Sequence, residues 1–116
     1  MVTLIQNAHL SACIDSAGGQ LVSVKDAAGK ELLWTADPAV WDWHAPVLFP
    51  YCGLLRGDRF LCSGKEYKGE MHGFMRYVQH RLASRSADRA VLEAASTPDT
   101  LGLYPFPFLF TQEFCL

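Results

Sequence analysis

Alternating apolar and polar positions divide the first third of the chain into short strand-like runs. The runs over residues 3–6 and 9–14 repeat with a period of two, which is typical of β-strands that bury one face. A third run begins at Leu21. A turn over residues 25–30 then leads into a returning strand over residues 31–35. The pattern therefore predicts successive antiparallel hairpins.

Prolines interrupt this alternation in the middle of the chain. Asp37-Pro38 predicts a turn or a short helix, with Asp37 as a possible N-cap. Residues 45–50 are apolar but carry two prolines, so they predict an irregular or edge segment rather than a fully paired strand. Residues 53–57 predict a turn that carries Arg56.

Hairpin patterns return in the second half. Residues 59–62 and 65–68 are predicted to pair with each other. Residues 77–86 and 89–95 predict two more strands; the second has some helical propensity, but its shortness and its place after a turn favour a strand. Residues 96–103 begin like a helix and predict one helical turn. Together the runs predict an all-β fold of many short strands.

Composition and charge narrow the class of protein. The length of 116 residues suits one domain, so we predict a single domain over residues 1–116. Hydrophobic residues make up 50% of the chain and charged residues 19%, which is a globular composition. A net charge of −2 provides no basic surface, so neither nucleic acid nor an anionic membrane is an expected partner.

The termini and the cysteines suggest a location. The N-terminus lacks the basic and apolar regions of a secretory signal, and no apolar run approaches the roughly 20 residues of a membrane helix. The four cysteines form no C-x-x-C pair. We therefore expect reduced thiols in a cytoplasmic protein.

The segment His72-Gly73-Phe74-Met75-Arg76 carries the most promising chemistry. Histidine titrates near neutral pH and can exchange a proton with a substrate oxygen. Gly73 allows close backbone approach, Phe74 offers an apolar wall, and Arg76 can bind hydroxyl pairs, carboxylates or phosphates. A histidine that caps a turn, with an arginine paired to a surface carboxylate, would give the same spacing.

Other candidates are weaker. His44, next to Trp43, could line a pocket. Glu70, His72 and His44 supply too few ligands in too loose a pattern for a zinc or iron site, so we predict no metal. Most aromatic residues are expected in the core. The sequence contains no nucleophile elbow, phosphate loop, dinucleotide fingerprint or HExxH motif.

Four segments, in this order and spacing, resemble the N-terminal part of the aldose 1-epimerases, the galactose-mutarotase-like proteins. The segments are Leu33-Trp34-Thr35-Ala36-Asp37-Pro38, His44-Ala45-Pro46-Val47-Leu48-Phe49-Pro50, His72-Gly73-Phe74-Met75-Arg76 and Leu103-Tyr104-Pro105-Phe106-Pro107-Phe108. The resemblance spans nearly the whole chain. It implies an antiparallel β-sandwich that forms part of a larger supersandwich.

The resemblance also implies a reaction. In this family a carboxylate takes the proton of the anomeric hydroxyl and a histidine protonates the ring oxygen, so that α and β anomers interconvert without metal or organic cofactor. Carried over by position, His72 is the catalytic candidate and Arg76 a sugar-binding residue. Phe74, His44 and Arg56 are further substrate-binding candidates. The expected partner is a monosaccharide or a sugar phosphate.

The resemblance also marks what this chain lacks. Family members continue beyond the segment that ends at Phe108. That later part supplies the glutamate base and a second histidine, which is the usual candidate for protonating the ring oxygen. We therefore expect a truncated mutarotase-like domain that associates with itself through exposed strand edges, or that pairs with a partner supplying strands. The alternative to an epimerase is a carbohydrate-binding remnant, or a truncated product, without catalysis.

Overall fold

The structure, a computed structural model, describes residues 1–116 and contains eight strands and one short helix. All regular elements are short, as the hairpin pattern predicts. In chain order they are β1 (Val2–Gln6), β2 (Leu10–Asp15), β3 (Gln20–Asp26), β4 (Arg59–Cys62), β5 (Lys65–Lys68), β6 (Arg81–Arg85), β7 (Arg89–Ala95), α1 (Pro98–Leu103) and β8 (Leu109–Cys115).

The strands form three antiparallel sheets. Two have three strands each, in the orders β1-β2-β3 and β6-β7-β8, and the third is the hairpin β4-β5. Every pair of neighbours in a sheet is also consecutive among the strands, so the connections are hairpins, except that α1 lies between β7 and β8. The predicted all-β fold is confirmed.

The core lies where the two three-stranded sheets meet. Ile5, Ala12 and Ile14 from the first sheet pack with Ala90 and Leu92 from the second, and each is at most 2% exposed. In β1 and β7 the buried positions alternate with accessible ones, which matches the predicted period of two. Burying one such aliphatic side chain contributes about 1.5–3 kcal/mol, so this small cluster fixes how the sheets face each other.

The predicted returning strand over residues 31–35 is wrong. Only Glu31 bridges to β3, opposite Lys25. The Glu31 carboxylate accepts hydrogen bonds from the Ser23 hydroxyl (2.5 Å) and from the backbone N–H groups of Val24 (2.8 Å) and Leu33 (3.1 Å). Because this side chain occupies those donors, the segment leaves β3 after one bridge.

The predicted strand over residues 77–86 is too long at its start. Residues Met75–Tyr77 form a 3₁₀ turn and β6 begins only at Arg81. His80, just before β6, donates its backbone N–H to the Ser16 carbonyl (2.8 Å) and so ties this stretch to the end of β2. Of the predicted strand, Tyr77 thus lies in the turn and residues 78–80 form an irregular link to β6.

Two local predictions are confirmed. The β4-β5 hairpin pairs Arg59 with Lys68 and Cys62 with Lys65. Helix α1 begins after Thr97, whose side chain accepts the Thr100 N–H in a capping box. At Asp37 a turn forms instead of a helix, with its carboxylate accepting the Ala39 N–H at 2.9 Å.

The molecule is flat. Its extents are 55 × 34 × 18 Å and its radius of gyration is 16.3 Å, against about 13 Å for a compact domain of this length. Only 15 of 116 residues are buried. Many large apolar side chains are therefore accessible, including those of Val2, Val40, Leu61 and Leu109. None of the helical segments has the length and apolar character to cross a membrane.

Candidate functional site: a tryptophan-walled cleft

The His72–Arg76 segment is folded back on itself by two residues with positive φ. His72 has φ +65° and Gly73 has φ +70°. The reversed chain is fixed to residues from the proline-rich stretch and the turn that follows it: the His72 N–H donates to the Gly53 carbonyl (2.9 Å), and the Phe74 N–H donates to the Phe49 carbonyl (3.0 Å). Backbone bonds therefore determine where the side chains of this segment point.

Gly73 is required at its position for two reasons. Its positive φ disfavours residues with a Cβ. In addition, a Cβ there would overlap the Phe49 carbonyl and lie 2.6 Å from Cδ of Pro50. The close backbone approach predicted for this glycine is therefore an approach to the protein's own chain.

The His72 ring is held in one tautomer. Its Nδ1 atom accepts a hydrogen bond from the Gly53 N–H at 2.8 Å. An accepting Nδ1 carries no proton, so Nε2 carries the hydrogen of the neutral ring. This arrangement leaves Nε2–H as a donor for a ligand.

Arg76 packs against two aromatic rings that also contact each other. Its guanidinium carbon lies 5.1 Å from the centre of the Trp43 ring and 4.9 Å from that of Tyr77, distances at which cation–π attraction contributes roughly 0.5–2 kcal/mol. One Nη atom also donates to the Met71 carbonyl at 3.1 Å. The charge is thus presented in a fixed orientation.

The backbone of Arg76 rests on the turn between β2 and β3. Gly18 has φ +76°, and a Cβ on it would overlap the Arg76 carbonyl. The Gly18 N–H donates to the Val78 carbonyl at 2.9 Å. The β2-β3 turn therefore supports the 3₁₀ turn that carries Arg76.

His72 and Arg76 line one open cleft of 640 Å³, which falls within the range of small-molecule sites. Its other walls come from the segment around the tryptophans and from Met71. The lining residues are Trp41, Asp42, Trp43, Pro46, Leu48, Met71, His72 and Arg76. One cation, one carboxylate and one imidazole thus share a cleft with two indole rings.

Hydrogen bonds within the segment hold the tryptophan wall. The Trp34 indole N–H donates to the Trp41 carbonyl (2.9 Å), and His44 Nδ1 donates to the Trp34 carbonyl (3.0 Å). Glu31 fixes the start of the same segment to β3. The hydroxyl of Ser23 and then the N–H of Val24 lower the pKa of Glu31 from 4.5 to about 2.

The structure brings only two of the five predicted site residues into the cleft, His72 and Arg76. His44 lies behind the wall, with its ring bonded to the Trp34 carbonyl. Phe74 lies among aromatic rings, 6.3 Å from Phe49, and lines a separate cavity of 20 Å³. Arg56 is exposed on a 3₁₀ turn and lines none of the cavities.

Sequence reasoning missed Asp42, the only carboxylate in the cleft lining. The sequence carried no signal for it beyond its place between Trp41 and Trp43.

Two titratable groups outside the cleft have altered environments. Burial lowers the pKa of His80, whose Nδ1 donates to the Val78 carbonyl at 3.0 Å. Burial, followed by the nearby Glu70 carboxylate, raises the pKa of Tyr51. No group of three or more His, Cys, Asp or Glu side chains is arranged to hold a metal ion, and all four cysteines are free.

Comparison with known proteins gives consistent matches. The family model for aldose 1-epimerase matches residues 1–116. The plasmid-encoded protein LacX of Lactococcus lactis subsp. lactis is 34% identical over 113 residues, which cover 93% of this chain and 38% of LacX. The chain thus spans well under half the length of this curated relative.

Solved structures match as well. A galactose mutarotase related enzyme from Lactobacillus acidophilus superimposes with a TM-score of 0.97 at 32% identity, covering 100% of this chain and 39% of that one. A galactose mutarotase-like protein from Lactobacillus casei gives a TM-score of 0.96 at 28% identity, covering 100% of this chain and 40% of that one.

Proposed function

Since the chain belongs to the aldose 1-epimerase family, we propose that its tryptophan-walled cleft binds a monosaccharide and takes part in the interconversion of its α and β anomers. The observation that carries the proposal is the pairing of a fixed His72 Nε2–H donor with a fixed Arg76 guanidinium in one cleft. Both groups are oriented before a ligand arrives, which reduces the entropy cost of binding.

In the proposed reaction, His72 polarises a sugar oxygen through the hydrogen bond that its Nε2–H donates. The polarised ring oxygen takes a proton from solvent while a carboxylate removes the anomeric hydroxyl proton, and the ring opens to the aldehyde. Rotation about the C1–C2 bond and reclosure give the other anomer. Arg76 holds hydroxyl groups through its N–H donors, and the chemistry calls for no cofactor.

Polarimetry on freshly dissolved α-glucose or α-galactose tests this proposal. We expect the protein to accelerate the approach to the equilibrium rotation, and His72→Ala to lose the acceleration. Arg76→Lys should mainly raise KM, because lysine keeps the charge but lacks the planar group that packs against Trp43 and Tyr77. Equal rates with and without protein would contradict catalysis by this chain.

A second candidate function is sugar binding without catalysis. His72 is the only imidazole that lines the cleft, and one histidine does not serve easily as both acid and base in the same step. Calorimetry that gives saturable monosaccharide binding, together with unaccelerated mutarotation, would favour this candidate over the first.

The remaining proposals concern partners and location. Association with a second copy through exposed strand edges is part of the proposal and is supported by the flat shape of the molecule. A cytoplasmic location stays a prediction. Roles for Phe74, His44 and Arg56 in substrate binding also stay predictions; for His44 and Phe74 they would need contacts outside the cleft lining described above.

A further inference from the structure

We infer that Asp42 is a substrate-binding residue that makes the cleft select neutral sugars over phosphorylated ones. This inference rests on the proposed function, because it concerns the ligand of the same cleft. It assigns a role to the one carboxylate in the lining and separates the two ligand classes that the family resemblance leaves open.

The carboxylate of Asp42 is free to meet a ligand. It accepts no hydrogen bond and forms no ion pair in the protein, and the residue is exposed. Nearby Asp37 differs, because its carboxylate is used by the Ala39 N–H in a turn. A carboxylate can only accept hydrogen bonds when ionised, so the natural partners of Asp42 are hydroxyl or other N–H and O–H donors.

Arg76 does not neutralise Asp42 directly. Its guanidinium packs against the rings of Trp43 and Tyr77 and donates to the Met71 carbonyl. Both charges therefore remain available in the same cleft, one as acceptor and one as donor. A polyol matches this arrangement because each hydroxyl both donates and accepts, so neighbouring hydroxyls can bond to Asp42, Arg76 and His72 at once.

The charge balance of the cleft disfavours phosphate. The charges of Arg76 and Asp42 in its lining cancel, so this pair gives the cleft no net positive charge. A phosphate monoester brings about −1.5 to −2 charges at neutral pH. Such a group bound at Arg76 would share the cleft with Asp42, and the like charges would repel in a partly desolvated site.

The position of Asp42 is also well defined. The carbonyl of its neighbour Trp41 accepts the Trp34 indole N–H at 2.9 Å, and its other neighbour, Trp43, packs against Arg76. Both neighbours line the cleft and offer apolar faces to the C–H groups of a sugar ring. The cleft thus offers a carboxylate together with apolar surface, a combination that suits recognition of a neutral sugar.

Calorimetry with galactose, glucose and their 6-phosphates tests the inference on the whole chain. We expect Asp42→Asn to weaken binding of the neutral sugars about tenfold, the cost of a lost charge-assisted hydrogen bond, and to strengthen binding of the 6-phosphates. Asp42→Glu, which keeps the charge, should retain the preference for neutral sugars. Asp58→Asn removes a carboxylate from an exposed turn outside the cleft and should change neither affinity.

Each outcome decides one question. If the wild type binds neutral sugars, His72→Ala abolishes that binding and Asp42→Asn leaves both affinities unchanged, the inference is wrong and the proposed function stands. A wild-type preference for 6-phosphates also overturns the inference alone. No binding of either sugar class overturns both. Because Asp42 has no partner in the protein, its variants should unfold at the wild-type temperature, which thermal denaturation verifies.

Discussion

At the scale of single residues, Glu31 links the acid stability of the fold to the wall of the cleft. Its carboxylate is the acceptor for one hydroxyl and two backbone N–H groups, and its pKa falls from 4.5 to about 2. A lowered native pKa means that folding favours the ionised form. The resulting stabilisation is complete above about pH 4.5 and is lost as the pH falls towards 2.

We therefore predict that Glu31→Gln lowers the melting temperature at pH 6 and that its difference from the wild type shrinks as the pH is lowered from 4.5 towards 2. Thermal unfolding followed by circular dichroism across this range measures the effect. Glu66→Gln, which removes a carboxylate from an exposed ion pair with Arg59, is the control and should give a small difference. If the difference in melting temperature between Glu31→Gln and the wild type stayed constant with pH, the lowered pKa of Glu31 would be contradicted.

Comparing alanine substitutions at Gly73 and Gly29 separates the cost of a positive φ from the cost of steric overlap. Gly73→Ala adds a Cβ at φ +70° that overlaps the Phe49 carbonyl, whereas Gly29→Ala adds one at φ +82° with open space around it. Positive φ costs alanine roughly 1–2 kcal/mol in both variants. We predict that Gly73→Ala loses about 1–3 kcal/mol more than Gly29→Ala in urea unfolding. Equal losses would mean that the chain near Phe49 moves aside freely.

At the scale of elements, helix α1 depends on its capping box. Thr97 accepts the Thr100 N–H at 3.2 Å, and the Thr100 hydroxyl accepts the Thr97 N–H at 2.7 Å. Residues Pro98–Leu103 are too few for a helix that is stable by propensity alone. The cap and the attachment of its ends to β7 and β8 therefore hold it.

We predict that Thr97→Ala lowers the free energy of unfolding by about 1 kcal/mol, because the side-chain acceptor at the N-cap is lost. Thr97→Ser keeps the hydroxyl and should remain close to the wild type. Urea denaturation of the three proteins in parallel provides the comparison. Equal stability of the alanine and serine variants would show that the Thr97 hydroxyl does not contribute to the free energy of unfolding.

Strands with a clear period of two were predictable from sequence, and others were not. In β1 and β7 one face is buried in the core, so each second residue is constrained and the pattern is visible. The segment after Glu31 also alternates, but side-chain hydrogen bonds to Ser23 and Val24 replace the ladder. This competition between the Glu31 side chain and the backbone ladder depends on Ser23, eight residues away, so the local sequence pattern does not show it.

Some residues of the candidate site were also predictable from the sequence, and others were not. The spacing of His72 and Arg76 left a capped turn and a surface ion pair open, and it was the family resemblance that predicted a shared site; both residues line the cleft. Phe74 lies elsewhere because the positive φ angles of His72 and Gly73 turn the chain between them. Asp42 reaches the cleft only because its segment is fixed by the bond from Trp34 to Trp41, which sequence patterns do not encode.

At the scale of the whole molecule, the flat shape leaves much apolar area in water. The edge strand β8 exposes Leu109 at 64%, and edge strand β1 exposes Val2 at 58%. Unpaired strand edges beside apolar side chains favour pairing with another chain.

We predict that the isolated chain associates at micromolar concentration and that Leu109→Lys reduces the association, because a charge on an edge strand opposes edge-to-edge pairing. Size-exclusion chromatography with light scattering measures the mass. Val40→Lys, at an equally exposed position outside the strands, is the control and should associate like the wild type. A stable, folded monomer for the wild type would refute the prediction.

The contact of Gly18 with the Arg76 carbonyl joins parts of the chain that are far apart in sequence. Closing such a long loop costs conformational entropy, which the contact offsets only after it has formed. The 3₁₀ turn that carries Arg76 is therefore fixed only after the first hairpins have formed. This contact implies an order of folding in which the N-terminal hairpins form first and the turn that carries Arg76 docks on them afterwards. A chain that emerges from the ribosome with its N-terminus first presents these hairpins before it presents Arg76.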